Sequence, residues 1–201
     1  MSSSPFIYLA SQSPRRQALL NQIGVAFKLL IPVDLAAAED LEAVLPNESA
    51  LKYVKRVTRL KLKAAMLQMH QQSMPLAPVL CADTTVVIHQ RILGKPANAT
   101  QAIEMLTQLS GQTHQVMTAV AIGHNQRIHL ALSRSSVKFT PMTAADIQAY
   151  VDSHEPMGKA GAYAVQGRAS AFIQKISGSY SGIMGLPLYE TTQLLKLIEV
   201  T

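Results

Sequence analysis

The sequence predicts a mixed α/β fold, a single domain over residues 1–201, and three observations carry that expectation. With 201 residues, 48% of them apolar and 15% charged, the chain has material for one sizeable core but not for two comfortable ones. Helix-like and strand-like segments both recur, without the regular strand–helix–strand alternation of a doubly wound parallel sheet. No internal repeat, low-complexity tract or linker divides the chain.

Residues 6–10 read as a short buried strand and 14–23 as a helix stopping at Gly24, since glycine is favoured just past a helix C-terminus. Ser13 is suited to the N-cap, and Pro14 at the first helical position sacrifices no hydrogen bond. Residues 25–33 read as a second strand. Residues 35–47 are rich in alanine and acids, close with Pro46-Asn47, and read as a loop leading into a long helix over 49–70. Two prolines within 71–78 end that helix.

The β-branched, apolar run 79–88 reads as a central strand, followed by the turn-like His89-Gln90 and the loop Leu93-Gly94-Lys95-Pro96. A helix is expected over 100–109, then two strands over 113–123 and 127–139 joined around His124-Asn125-Gln126 as a hairpin. Thr143 caps a helix running to Val151. Residues 158–187 hold six glycines among short strand-like pieces, where backbone must turn tightly or approach something closely, and 189–199 form a closing helix.

Composition excludes several function classes. The single Cys81 cannot form an internal disulfide and no Cys/His cluster has zinc spacing, which fits a reducing, cytoplasmic setting. The N-terminal residues lack a signal-peptide pattern, and no apolar run approaches the ~20 residues of a membrane span. A formal charge of +6 suits polyanionic partners, whether nucleic acid or free nucleotides. The low aromatic content, with no Trp, argues against a single-strand-binding surface. Neither a Walker A pattern nor a dinucleotide-type Gly-x-Gly-x-x-Gly stands in a strand-to-helix context.

Three places can carry chemistry. In Ser11-Gln12-Ser13-Pro14-Arg15-Arg16 a strand hands over to a helix whose free N–H groups and dipole favour an anion, with Arg15 and Arg16 as forked donors. The other reading is a capped surface helix with two solvated arginines. In Cys81-Ala82-Asp83-Thr84-Thr85 a carboxylate interrupts an apolar strand. Desolvating it costs several kcal/mol, on the order of the whole folding stability, unless a metal, a lysine or a donor compensates. A strand-end Asp83 facing solvent is the alternative, and Cys81 is a small core residue.

On the helix at 49–70, Lys52, Lys55, Arg56, Arg59 and Lys63 form one stripe, read as a solvated face. Lys61 projects from the opposite face, among Val54, Val57, Ala64 and Ala65, so it either reaches inward, toward phosphate or Asp83, or snorkels. Lys95 sits on a stiff loop that strand topology can return to the same cleft. Lys159 and Gln166 lie in a glycine-flanked segment where backbone can approach a ligand and the Gln amide can read a base edge. His114 reads as a structural hydrogen-bonder.

Together these segments resemble the Maf family of nucleoside triphosphate pyrophosphatases. The resemblance runs in order through residues 9–16, Ala82-Asp83-Thr84, Leu93-Gly94-Lys95-Pro96, Ser110-Gly111-Gln112-Thr113-His114, residues 158–167 and Gly185-Leu186-Pro187. It implies a twisted mixed sheet with two lobes around a nucleotide cleft, a homodimer, and a divalent cation, Mg or Mn, held by Asp83. It implies cleavage between the α and β phosphates to give a nucleoside monophosphate and pyrophosphate, with a nucleotide-pool or division-linked role. Asp83 is then the proton acceptor, with Lys61 and Lys95 as catalytic partners. Ser11, Ser13, Arg15, Arg16, Thr84 and Gln166 are then substrate-binding, and Arg15, Thr84 and Gln166 bear on the base. The Ala-Asp-Thr and Lys-Ala-Gly-Ala-Tyr-Ala-Val-Gln-Gly forms resemble the dTTP/UTP branch rather than the branch acting on 7-methyl-GTP.

Two departures stand out. Ala36 and Ala37 occupy the position of the family's acidic pair and the loop after them is several residues longer, leaving Glu39, Asp40 or Glu42 as the substitute carboxylate. Leu62 follows Lys61 where alanine is commoner. The leading reading is therefore a metal-dependent nucleotide pyrophosphatase. A catalytically weak nucleotide-sensing protein of the same fold is the first alternative, and a basic nucleic-acid-binding module using the Lys52–Lys63 stripe, disfavoured by few aromatics, is the second. No stable nucleic-acid or membrane partner is expected.

Overall fold

A computed structural model of the chain describes residues 6–198. The elements, in order, are β1 (Ile7–Leu9), α1 (Pro14–Gln22), β2 (Phe27–Leu29), α2 (Leu35–Asp40), α3 (Ala50–Gln71), β3 (Val79–Ile88), β4 (Arg91–Leu93) and α4 (Ala99–Leu109). Then come β5 (Thr113–His124), β6 (Arg127–Phe139), α5 (Ala144–Asp152), two 3-10 turns, β7 (Ile173–Ser177), α6 (Tyr180–Met184) and α7 (Leu188–Lys196). The expectations drawn from residues 1–5, and the last residue of the expected closing helix, Glu199, lie outside the described residues.

The seven strands form one mixed sheet in the order β2-β1-β3-β5-β6-β7, with β4 also paired to β3. β1 runs parallel to β2 and β3, and the other pairings are antiparallel. The expected hairpin is the long β5–β6 ribbon, closed by Asn125 and Gln126, both at positive φ. This turn conformation matches the twist of the strands it joins.

β3 organises everything around it. It is an almost wholly buried ten-residue strand whose side chains alternate between two layers. Val79 and Cys81 pack with Leu62, Ala65 and Met69 of α3, and Val87 with Tyr53, Val54 and Val57. Leu80 and Ala82 face Leu19, Leu20 and Leu194 of α1 and α7, while Val86 and Ile88 face α4 and α5. α3 thus covers one face of the sheet and the remaining long helices the other. Asp83, at an odd position, is aimed at α3, and Thr84 at the opposite layer.

Along one edge β3 pairs with β1 at Val79 and Leu80, and with β4 from Val86 to Ile88. Between these stretches, among the described residues, positions 81–85 pair with β5 alone. The sheet is split at this edge, and a cleft opens at the middle of its most buried strand.

The structure corrects four local expectations. Residues 35–47 are not all loop, because Asp34 Oδ1 accepts a hydrogen bond from Ala37 N and starts α2. The strand expected over 25–33 is confined to Phe27–Leu29. A short strand, β4, precedes Gly94 where only a loop was expected. Ser13 holds the N-cap position of α1 but its side chain makes no cap bond, and its own N–H donates to Ser11 Oγ at 3.1 Å. By contrast, Thr143 caps α5 in a full capping box with Asp146.

Candidate functional site

The cleft is a cavity of about 940 Å³. Every residue singled out as catalytic or substrate-binding lines it: Ser11, Ser13, Arg15, Arg16, Lys61, Asp83, Thr84, Lys95 and Gln166, together with Lys159. Neither His114 nor Cys81 does.

The start of α1 forms one wall. Arg16 Nε donates to Gly185 O at 2.8 Å and Nη1 to Ser11 Oγ at 3.2 Å, with Nη2 3.5 Å from Thr84 Oγ1. Arg15 Nε donates to Met184 O at 3.2 Å. These arginines are therefore not the solvated pair of a surface helix: α6 and the turn after it hold them against the cavity. Burial, and then the neighbouring Arg16, lower the pKa of Arg15. Two adjacent guanidiniums held this way gain most from an incoming anion. Thr84 Oγ1 also lies 3.0 Å from Thr118 Oγ1, which donates to Gly182 O at 2.7 Å, so its rotamer is fixed from behind.

At the centre, Lys61 reaches inward. Its Nζ lies 2.7 Å from Asp83 Oδ1 and 2.6 Å from Glu42 Oε1. Asp83 is only 7% exposed, so this ammonium supplies the compensating charge that burial demands. Burial alone lowers the pKa of Lys61, but Asp83 and Glu42 outweigh it and the net direction is upward, so Lys61 is a fixed cation at neutral pH. Glu42 also accepts from Lys95 Nζ at 2.9 and 3.1 Å. Burial works to raise the Glu42 pKa, yet Lys61 and Lys95 win and hold it below its ordinary value.

Of the three acids left open in place of Ala36 and Ala37, Glu42 is the one brought against Lys61 and Lys95. Of Glu39, Asp40 and Glu42, only Glu42 pairs with cations of the centre among the described residues. The spacing counted from Phe27 falls on Ala36 and Ala37 inside α2, whereas Glu42 lies in the turn after that helix.

The opposite rim is residues 155–167. Gly161, at φ +68°, donates its N–H to Gly94 O at 3.0 Å and presses so closely on Val86 that a Cβ would sit 2.8 Å from its methyl carbons. Tyr163 is pinned by His114 Nε2 at 2.8 Å, and both pack edge-on with Phe139. Glu155 accepts from Tyr150 Oη at 2.8 Å and from Arg168 N at 3.1 Å, flanking the turn that presents the exposed Gln166 to the cavity. Lys159 Nζ donates to the carbonyl of Glu155, and burial followed by Arg15 lowers its pKa.

No group of three or more His, Cys, Asp or Glu suited to a metal ion occurs among the described residues. Two carboxylates do converge, since Asp83 and Glu42 share the Lys61 nitrogen. That hard-oxygen pair suits Mg²⁺, which is usually bound by one or two carboxylates plus substrate phosphates rather than by an all-protein cage.

Fold and site together define a mixed α/β domain with one large cleft in which arginines and lysines surround two carboxylates. The chain belongs to the Maf family: the profile of Maf-like proteins matches residues 6–198. It is 60% identical over 196 residues to a protein of Polaromonas sp. (strain JS666) named dTTP/UTP pyrophosphatase, covering 98% of this chain and 97% of that one. Proteins of the same name from Albidiferax ferrireducens and Burkholderia lata are 57% identical over 193 residues and 56% over 198. These alignments cover 96% of both chains in the first case, and 98% of this chain and 94% of the relative in the second.

Proposed function

We propose that this chain hydrolyses dTTP and UTP between the α and β phosphates, giving the nucleoside monophosphate and pyrophosphate. The observation that carries this reading is the Asp83–Lys61–Glu42–Lys95 chain of ion pairs inside a cavity that also holds Arg15 and Arg16. It supplies a carboxylate base beside several fixed cations, the arrangement phosphoryl transfer requires.

In this reading Asp83 accepts the proton of the attacking water as a bond forms to one phosphorus of the α–β anhydride. The P–O bond to the bridging oxygen breaks, and its electron pair leaves on the departing phosphate group. Lys61, held protonated, orients Asp83 and meets the developing negative charge, and Lys95 and Arg15 take phosphate oxygens. Asp83 and Glu42 are the residues that would hold Mg²⁺ or Mn²⁺, which when bound supplies Lewis-acid neutralisation of the phosphates. Ser11, Ser13 and Arg16 shape the wall at the helix start, while Thr84 and the Gln166 amide read the pyrimidine. A homodimer, a cytoplasmic setting and a nucleotide-pool role complete the reading. The resemblance supports the first and last, and the free, buried Cys81 fits a reducing compartment. No helix among the described residues is long and apolar enough to cross a membrane.

Asp83→Asn is expected to lower pyrophosphate release from dTTP and UTP by about 10²–10⁴-fold, the usual contribution of a positioned base. Wild-type turnover in a folded Asp83→Asn protein would overturn the assignment. A catalytically silent nucleotide sensor would show no metal-dependent turnover in the wild type.

A further inference from the structure

Glu42 belongs to neither helix nor strand, yet its neighbourhood is tied down. Tyr53 Oη donates to the carbonyl of Glu42 at 2.9 Å. Arg56, one turn further along α3, reaches the carbonyls on either side: Nη2 lies 2.7 Å from Ala43 O and Nη1 3.4 Å from Leu41 O. Two side chains thus take three consecutive carbonyls that no strand or helix ladder satisfies. The guanidinium is itself aimed, because Glu48 accepts Nε and Nη2 at 2.7 Å each in a bidentate pair. Glu48 Oε2 also accepts from Leu45 N at 3.3 Å, drawing the far end of the same segment onto α3.

We propose that Arg56, aligned by Glu48 and assisted by Tyr53, is a positioning residue that fixes the Glu42 carboxylate over Lys61 and Lys95. The inference rests on the reading of Glu42 as part of the centre. Arg56 itself does not line the cavity, so it acts through Glu42 and not on substrate. Free backbone at 41–43 would spread the carboxylate over many placements, and a displacement of about 1 Å in a reacting constellation is enough to cost on the order of 10²-fold in rate. The clamp acts after residue 40, so residues 35–40 can change in number without moving Glu42. Arg56, expected to be one of a solvated stripe, is therefore the member of that stripe with a task inside the protein.

The test is a double-mutant cycle in the full chain, reading pyrophosphate release from dTTP at saturating Mg²⁺, with urea melts of every variant. Arg56→Gln is expected to lower kcat/KM about 10–100-fold, the usual effect of removing a partner that orients a ligating group. Arg56→Lys is not expected to restore it, since an ammonium cannot span both carbonyls and Glu48. In a Glu42→Gln background, Arg56→Gln is expected to add less than about twofold, because its only route to the chemistry is gone.

Should Glu42→Gln turn over too slowly, binding of an α,β-imido dTTP analogue by calorimetry reads the same cycle. Should Arg56→Gln not fold, Glu48→Gln and Tyr53→Phe enter the cycle in its place. An impaired Glu42→Gln beside a fully active Arg56→Gln overturns the positioning role. Equal losses from Arg56→Gln in both backgrounds overturn it too, as a purely structural defect would give. A fully active Glu42→Gln instead removes the reading of Glu42 on which the proposal stands.

Discussion

The two rims of the cleft are built on opposite principles. The rim at 155–167 is made by shape: Ala162, Tyr163, Ala164 and Val165 are buried, Gly161 fits against Val86, and His114 holds Tyr163 from the core side. The rim at 31–48 is made by charge and hydrogen bonding. Its helix α2 buries no residue, and the segment is tied to α3 by Gln68, Arg56, Tyr53 and Lys61. A rim made by shape accepts almost no change of residue, because close-packed atoms have nowhere to go. A rim made by a few directional ties accepts changes of length between the ties. The resemblance to the family accordingly runs unbroken through 158–167, while the expected insertion and the expected shift of the acid both fall in the 31–48 segment.

Gly161→Ala is the strongest challenge to this contrast. The new Cβ would lie 2.8–2.9 Å from three atoms of Val86, in a backbone conformation at φ +68°. Overpacking costs about 1–3 kcal/mol and a positive φ roughly 1–2 more, so a loss of about 2–5 kcal/mol is expected in urea unfolding. A variant as stable as the wild type would show that this rim is not shape-limited.

A pH experiment tests the same rim from behind. His114 is 1% exposed, its Nδ1 has no partner among the described residues, and burial pushes its pKa down to about 4 from an ordinary 6.5. Between those values the unfolded chain binds the proton and the folded protein does not, so stability rises with pH. The contribution is fully present above about pH 6.5 and is lost as pH falls toward 4, up to about 3 kcal/mol. Glu42, whose pKa is lowered, acts in a different window: its contribution is lost only as pH falls below the ordinary glutamate range. His114→Gln should therefore flatten the stability profile between about pH 6.5 and 4 and leave its more acidic part alone. An unchanged profile would mean that His114 does not carry the acid sensitivity of this rim.

The same contrast explains what was legible in the sequence. β3, α3 and the β5–β6 hairpin are long and strongly patterned, and period arguments place them within a residue or two. Lys61 stands out because it lies opposite a charged stripe on one helix, which leaves inward reach or snorkelling open, and Asp83 because a carboxylate in an apolar strand needs a partner unless it faces solvent; the structure decides both. α2 left no such trace: it buries nothing, so it has no apolar period, and only the Asp34 cap announces it. β4 has three residues, too few for alternation to register. Glu42 is one of three open candidates in the sequence and Arg56 reads there as solvated, since both depend on ties between a loop and a helix that no local pattern encodes. Ser13 stands at the N-cap as its residue type predicts, but no local pattern tells that its hydroxyl makes no cap bond.

The smallest expected effect is the most direct check on the charge-built rim. α2 is six residues, about 9 Å of helix, which three extended residues span at roughly 10 Å. Replacing residues 35–40 by Gly-Ser-Gly keeps the Gln68 ties at Ile31 and Val33 on one side, and the Tyr53 and Arg56 ties at 41–43 on the other. Loop length alters closure entropy only slowly and no buried side chain is lost, so unfolding free energy should change by no more than about 0.5 kcal/mol. Turnover of dTTP should stay within a few-fold of wild type, since Glu42 is held from α3 and not from α2. A stability loss above about 2 kcal/mol, or a rate as low as that of Glu42→Gln, would place α2 among the parts that build the centre and would end the distinction between the two rims.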